Sequence, residues 1–332
     1  MNQPRKIRWL IAHYPQELFF RTARAFAKEL NNLIGDELEI EILTYDDYKK
    51  KYDEIAGLEK LQNFPPSNES FMEGVDSFWN ALFDSDIEMS QIQIFRVADL
   101  HKDFLALDLP FLFEDHDHVQ RVVEGPVGQQ LCAKLGEKSG VTGLAFTYSG
   151  GYRVVGSHQP ISTLDELTEL TIAVANPCSL GTTLENLGGK YMVSYAATWF
   201  KNDPMIEAGC GAIETTYLRF NSVNGKYVYK TNHSMFLTTV VVSNKFWNTL
   251  TEKQQEAFRQ AGLVASRQER QWSIQDGERF EAEAEQKGIT ITKMTAKDTE
   301  KLKHKAQKSW VQSQKYWEDK DLVKEIVKQR LH

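Results

Sequence analysis

Residues 141–176 read VTGLAFTYSGGYRVVGSHQPISTLDELTELTIAVAN, and this stretch decides the fold. VTGLAFTY is apolar and β-prone, the Gly-Gly-Tyr-Arg run marks a turn carrying Arg153, and TIAVAN is a short buried strand ending at Asn176. STLDEL opens a helix between them. Ser162 to Asp165 and Thr163 to Glu166 stand at capping spacing, where side chains satisfy the free amide groups of a first turn. Strand, helix and strand in this order build an open α/β sheet, and ligands of such sheets sit at the carboxyl ends of the strands.

Towards the N-terminus the same alternation appears. IRWLIAHY reads as a strand, and LEIEIL alternates as a half-buried strand does. ELFFRTARAFAKELNNLIG between them predicts a helix with Phe19, Phe20, Ala23, Phe26, Ala27 and Leu30 on one face, ending near Gly35. The β-α-β order makes the two strands a parallel pair. Residues 44–63 are polar and read as a solvated excursion, SNESFMEGVDSFWNALFDS as a helix, and DIEMSQIQIF as a third strand. LDLPFLFEDHDHVQRVVEGPVGQQLCAKLGEKSG then carries two Pro/Gly-punctuated helices.

Towards the C-terminus TTLENLGG reads as a short helix, GAIETTYL and FLTTVVVSN as strands, and SNKFWNTLTEKQQEAFRQAG as a helix with Thr251 and Gln254 at capping-box spacing. Helical periodicity runs on to about Lys287, followed by the strand ITITKM and a final charged helix over 296–328. Strands alternating with helices in two units predict two open α/β lobes, with the ligand cleft between them.

Bulk properties narrow the function. The length of 332 residues suits two domains, and 41% hydrophobic with 26% charged residues is an ordinary globular composition. A net charge of −7 speaks against nucleic acid or an anionic membrane as the main partner. No apolar run reaches the ~18 residues that span a bilayer, so no direct membrane insertion is expected. MNQPRK is followed at once by a strand-like run, so the chain reads as lacking a signal peptide. Three cysteines show no metal spacing and read as buried thiols, although Cys178 and Cys210 flank candidate site strands and are candidates to pair.

The motifs point away from catalysis. Nucleophile-elbow, P-loop, zinc-protease and dinucleotide-turn signatures are missing from the sequence, so no catalytic residue, metal ligand or cofactor is expected. His116 and His118 in EDHDHVQ read as the start of a solvated helix with acids complementing its dipole. Arg153 suits either a two-pronged grip on a carboxylate or a structural salt bridge.

LDLPFLFEDHDHVQRVVEGPVGQQL, GYRVVGSHQPISTLDELTELTIAVAN and SNKFWNTLTEKQQEAFRQAG, in this order, resemble three motifs of the DctP-type solute-binding proteins of TRAP transporters. The resemblance runs with gaps from about Ile7 to 330. It implies two α/β lobes with crossing connections and a long bridging helix, lobe one being 1–150 plus 237–276 and lobe two 151–236 plus 277–332. It implies an extracytoplasmic receptor, periplasmic in its mature form, that closes on a small polar solute and delivers it to TRAP permease subunits. A receptor-like sensor or regulatory binding protein without a transport role is the alternative.

By position in the family's motifs, the implied ligand-binding residues are Arg153, Asn176, Gln91 at the end of the third strand, His13 at the end of the first, Glu214 and Thr215 in CGAIETT, and Thr238 on the last strand. Tyr148, Tyr217 and His233 are further lining candidates. Glu214 with His233 also reads as an acid/base pair, but no nucleophile accompanies it and no enzyme is expected. The family's clamp arginine in R-V-P-N falls on Ala173, so a dicarboxylate is expected to bind poorly unless Arg153, Arg96 or Arg219 moves in.

Overall fold

In the computed structural model, which describes residues 4–11, 15–44, 47–48, 79–193, 210–220 and 225–330, the chain divides into two compact units. The first holds Met1–Ile92, Gly128–Thr147 and Thr238–Trp272, the second Gln93–Val127, Tyr148–Leu237 and Ser273–His332.

The first unit grows from β1 (Arg5–Ile11), α1 (Gln16–Ile34) and β2 (Leu38–Thr44). β1 and β2 pair in parallel with Ile7 opposite Ile40 and Trp9 opposite Ile42, as the helical crossover requires. α1 buries Leu18, Phe19, Thr22, Ala23, Phe26, Leu30 and Ile34, a stripe at helical spacing. Phe20 and Ala27, expected on that face, are half-buried at its edge. With β3 (Met89–Gln93), β4 (Val141–Tyr152) and β10 (Met235–Ser243) the sheet runs β2-β1-β3-β10-β4. Trp9 meets Phe26 edge-on at 5.2 Å, and Phe26 meets Phe258 at 5.4 Å. Such pairs add about 0.5–1.5 kcal/mol each beyond the area they bury. Most of the polar excursion and of the helix expected after it lies outside the described residues.

The second unit is built on a six-stranded sheet of order β11-β9-β5-β8-β6-β7. Its strands are β5 (Val154–Ser157), β6 (Thr171–Val174), β7 (Lys190–Val193), β8 (Cys210–Thr215), β9 (Tyr227–Lys230) and β11 (Thr290–Lys293). β6 lies parallel to β7 and β8, while β5 runs antiparallel to β8 and β9. The two-residue period of a strand divides the core between two faces. Val155, Ile172, Val174, Ala212 and Tyr229 join one apolar cluster, and Val154, Ala173, Ile213 and Val228 the other.

α2 (His116–Glu124) belongs to this unit, while α3 (Pro126–Lys138) that follows it belongs mostly to the first. α4 (Leu164–Glu169) begins at the box read from the sequence. Glu166 N–H donates to Thr163 Oγ1 (3.2 Å), and Ser162 N–H donates to Glu166 Oε2 (2.7 Å). α5 (Thr182–Leu187) ends at Gly188, and α6 (Glu252–Glu283) is the long helix. It starts where Thr251 and Gln254 exchange hydrogen bonds of 3.0 and 3.2 Å.

β4, β10 and α6 each carry the chain from one unit into the other. This gives the crossing connections and the long helix that the sequence implies.

Four readings change. The Gly-Gly run does not end the strand. β4 continues to Tyr152 through Gly150 and Gly151, whose φ of 99° and 78° only glycine takes without strain, and Arg153 is the single residue before β5. SNKFW forms one separate helical turn (Asn244–Trp247) ahead of α6. The final helix splits into α7 (Ala296–Ser313) and α8 (Leu322–Val327). Residues 93–127, assigned to the first lobe from the sequence, pack with the second unit. There Phe111 N–H donates to His233 O (2.5 Å), Trp310 Nε1–H to Pro110 O (2.8 Å) and Arg153 to Asp108.

Candidate functional site

Arg153 is the centre of a buried polar group in the second unit. Its backbone position between β4 and β5 is fixed by its N–H, which donates to Ser234 O at 2.8 Å. Its Nη1 donates to Asp108 Oδ1 (2.7 Å), Ser234 Oγ (3.2 Å) and Met235 O (3.3 Å). Asn176 Nδ2 donates to the other Asp108 oxygen at 2.7 Å, so both carboxylate oxygens are engaged. Asn176 Oδ1 in turn accepts from Cys178 N–H (2.8 Å) and Ser179 N–H (3.1 Å), which orients the amide. Arg153 and Asp108 side chains are 1% and 0% exposed, which makes this a fully desolvated ion pair. Arg153 Nη2 is buried and has no protein acceptor among the described residues.

Glu214 closes the group on its other side. Its Oε2 lies 4.0 Å from Arg153 Nε and accepts from Ala175 N–H (3.3 Å), while Oε1 meets His233 Nε2 at 2.8 Å. His233 Nδ1 meets Thr231 Oγ1 at 2.7 Å, so both ring nitrogens are occupied. Burial pushes the Asp108 carboxyl above its usual range, although Arg153 pulls it down. Burial also raises Glu214, but the Arg153 charge and the His233 hydrogen bond outweigh it and hold that carboxyl low. The constellation holds a guanidinium rigidly, and both Glu214 and His233 spend their polar atoms inside the protein.

In the first unit Gln91, on β3, donates from Nε2 to Thr147 Oγ1 (2.8 Å) and Thr238 Oγ1 (3.1 Å). Gln91 is 2% exposed and both threonines are fully buried. Gln91 and Thr238 thus bond to one another, with Thr147 as a partner the sequence did not single out.

The sequence model described as "Bacterial extracellular solute-binding protein, family 7" (DctP) matches residues 20–199 and 205–316. The chain belongs to this family. It is 25% identical over 152 residues to the C4-dicarboxylate-binding periplasmic protein of Rhodobacter capsulatus, covering 45% of each chain. It is 24% identical over 223 residues to the C4-dicarboxylate-binding periplasmic protein of Vibrio cholerae, covering 63% of this chain and 62% of that one. The matches thus span about half to three-fifths of these relatives' length, 45% and 62%. The crystal structure of a TRAP periplasmic solute-binding protein from Haemophilus influenzae with bound L-gulonate superposes with a TM-score of 0.78. At 17% identity, over 98% of this chain and 99% of that one, it shows the same fold.

A family of solute-binding proteins rather than of enzymes agrees with the spent Glu214–His233 pair. The remaining site residues are dispersed. Tyr148, 1% exposed, meets His116 Nδ1 at 3.0 Å through its hydroxyl. Tyr217 stacks on Phe280 at 5.3 Å, and its hydroxyl donates to Glu281 Oε2 (3.5 Å). Thr215 is buried opposite Val154. His13 lies outside the described residues.

The helix start at 115–118 is solvated only in part. Asp115 caps it, accepting from His118 N–H at 2.7 Å, but His118 is fully buried with Nε2 at 2.9 Å from Ile326 O. Among the described residues no group of His, Cys, Asp and Glu has metal-site geometry, and no helix is long and apolar enough to cross a membrane. Cys178 and Cys210 do not pair, and Cys132 is likewise a thiol. Cys178 follows the end of β6, whereas Cys210 is the first residue of β8 and lies opposite Thr171 at the start of β6. Sequence reasoning gave Asp108 no role although it lies in LDLPFLF, the segment carrying the first family match. Ala173, where that resemblance puts an arginine, is buried among Ile213, Tyr217, Phe220 and Phe280.

Proposed function

We propose that this chain is the periplasmic solute receptor of a TRAP transporter, that it binds a small organic acid through Arg153, and that it delivers the acid to a membrane permease without altering it. The observation that carries this is the guanidinium of Arg153, held by Asp108 with its Nη2 buried and lacking a protein acceptor among the described residues. A buried donor left unmet costs about 1–3 kcal/mol, and an acid oxygen of a solute satisfies it with a charge-assisted bond. Relatives described as binding C4-dicarboxylates support the acid class.

Ala173 shapes the choice of acid. β6 contributes a methyl group inside an apolar cluster there, so the second carboxylate of a dicarboxylic acid finds no guanidinium on that strand. A solute with one acid group and several hydroxyls fits better. Asn176 and Glu214 position the arginine, while Thr215, in the same unit, offers a hydroxyl to the solute. The test is thermal melting of the purified chain with sugar acids, dicarboxylic acids and their matching alcohols. A saturable rise with a monocarboxylic sugar acid is expected. Stabilisation by alcohols alone overturns the acid reading.

A further inference from the structure

We infer that His233 is a proton-binding site linked to the solute site, so that the chain takes up a proton when it binds an acid. The inference rests on the receptor reading above. It adds the proton as a second ligand and names the residue that holds it.

His233 has a partner for either charge state of its ring. It lies between β9 and β10 and is 0% exposed. Its carbonyl accepts from Phe111 N–H at 2.5 Å, which fixes where the ring enters the cluster. Its Nε2 meets Glu214 Oε1 at 2.8 Å. Burial raises the Glu214 carboxyl, but the Arg153 charge and the His233 bond outweigh it and keep the group ionised. A carboxylate only accepts, so Nε2 carries a hydrogen. On the other side Nδ1 meets Thr231 Oγ1 at 2.7 Å. A hydroxyl donates to the bare Nδ1 of a neutral imidazole and accepts from the Nδ1–H of a charged one. Protonation therefore needs only a turn of the Thr231 hydroxyl.

The solute supplies the reason to take the proton. Arg153 already faces two carboxylates, Asp108 at 2.7 Å and Glu214 at 4.0 Å. An acid group on its buried Nη2 becomes the third. Carboxylates crowded into a desolvated site favour uptake of a proton beside them. The other charged or titratable groups around the cluster are Arg219, whose charge acts on Arg153, Cys178 and Lys315. Burial and the Asp108 charge push the Cys178 thiol up to about 12, so it stays neutral. Burial also lifts the Asp108 carboxyl. Its oxygens, however, accept from Arg153 and Asn176, and a proton there displaces one of these bonds. On His233 the proton breaks no bond, and the new charge lies beside Glu214. Linkage is reciprocal, so an acid that brings in a proton binds more tightly as pH falls.

The test is calorimetry of the full chain with erythronate, gluconate and galactonate, beside erythritol, glucitol and galactitol. Titrations run between about pH 6 and 8, where a sugar acid stays ionised and imidazoles change charge. Each is repeated in phosphate and in Tris, and the difference in heat between buffers counts the protons taken up. The wild type is expected to take up roughly half to one proton per acid bound. Its affinity for the acid should rise about three- to tenfold per pH unit on acidification. The alcohols should show neither effect. His233→Gln keeps an N–H for Glu214 but holds no extra proton, so uptake and pH slope should vanish. Thr231→Val removes the acceptor of the second N–H and should move the uptake about one pH unit lower. It carries the test if His233→Gln does not fold. Acid binding without proton uptake, equal uptake with an alcohol, or uptake unaltered in these variants overturns the proton site and leaves the receptor reading standing. A wild-type chain that binds none of the acids overturns the receptor reading, and this inference with it.

Discussion

Replacing Asp108 by Asn tests the physical core of the second unit. The side chain is 0% exposed, and its two oxygens accept from Arg153 Nη1 and Asn176 Nδ2 at 2.7 Å each. An amide of the same shape offers one acceptor in place of two and carries no charge. One of the two donors therefore loses its partner, and the Arg153 charge is left with Glu214 at 4.0 Å as its closest remaining acid. Breaking a buried pair from one side costs about 3–5 kcal/mol. At about 2–4 °C per kcal/mol for a large domain, Asp108→Asn is expected to melt roughly 6–20 °C below the wild type without added solute. Arg153→Met should lose a similar amount, since it leaves Asp108 buried and uncompensated. The double variant removes both charges, so its loss should fall short of the sum by about 1–3 kcal/mol. Urea unfolding followed by circular dichroism measures all three. An Asp108→Asn protein within about 0.5 kcal/mol of wild type, or strict additivity in the double variant, would refute the buried-pair account.

Two further outcomes concern Glu214 and the paired glycines. Glu214 titrates below its ordinary value of 4.5 in the folded chain, so its contribution is present above that pH and is lost as pH falls through the lowered value. Glu214→Gln should therefore flatten the decline in urea midpoint below pH 4.5, and an unchanged decline would assign it to other carboxylates. Gly150 and Gly151 separate two kinds of strain. Both hold positive φ, but a methyl at Gly150 meets Thr216 Oγ1 at 2.4 Å, whereas one at Gly151 meets nothing within 4 Å. Gly151→Ala should cost about 1–2 kcal/mol and Gly150→Ala about 1–3 kcal/mol more; equal melting losses would contradict this.

Local chemistry was legible in the sequence wherever a few adjacent residues decide it. Thr251 and Gln254 start their helix through reciprocal bonds, and Thr163 caps Glu166 N–H while the Glu166 carboxylate reaches back one residue further, to Ser162 N–H. Ile172 and Ala173 face opposite clusters because a strand alternates. β5, β7 and β9 are four residues each and escaped notice, whereas the equally short β6 and β11 were read because they lie in the longer runs TIAVAN and ITITKM. Arg153 and Asn176 were found through their motif, but their partner Asp108 was not. Its role exists only once residue 108 packs against a residue 45 positions later. Arg219 was legible only as one arginine that could stand in for the missing clamp, and its place over the ring of Phe236 depends on a residue 17 positions later. The cysteines mislead for a related reason: proximity in the order of elements does not bring thiols together.

The most direct measurement of the central claim is a calorimetric titration of the purified wild-type chain, beside Arg153→Lys, with monocarboxylic sugar acids. A receptor of this kind should show saturable binding of at least one acid at one site per chain. At a hundred times Kd it should gain about 2.7 kcal/mol of stability, and Arg153→Lys should bind that acid at least about tenfold more weakly. Heat-silent titrations across the sugar acids, or an affinity unchanged in Arg153→Lys, would contradict the account.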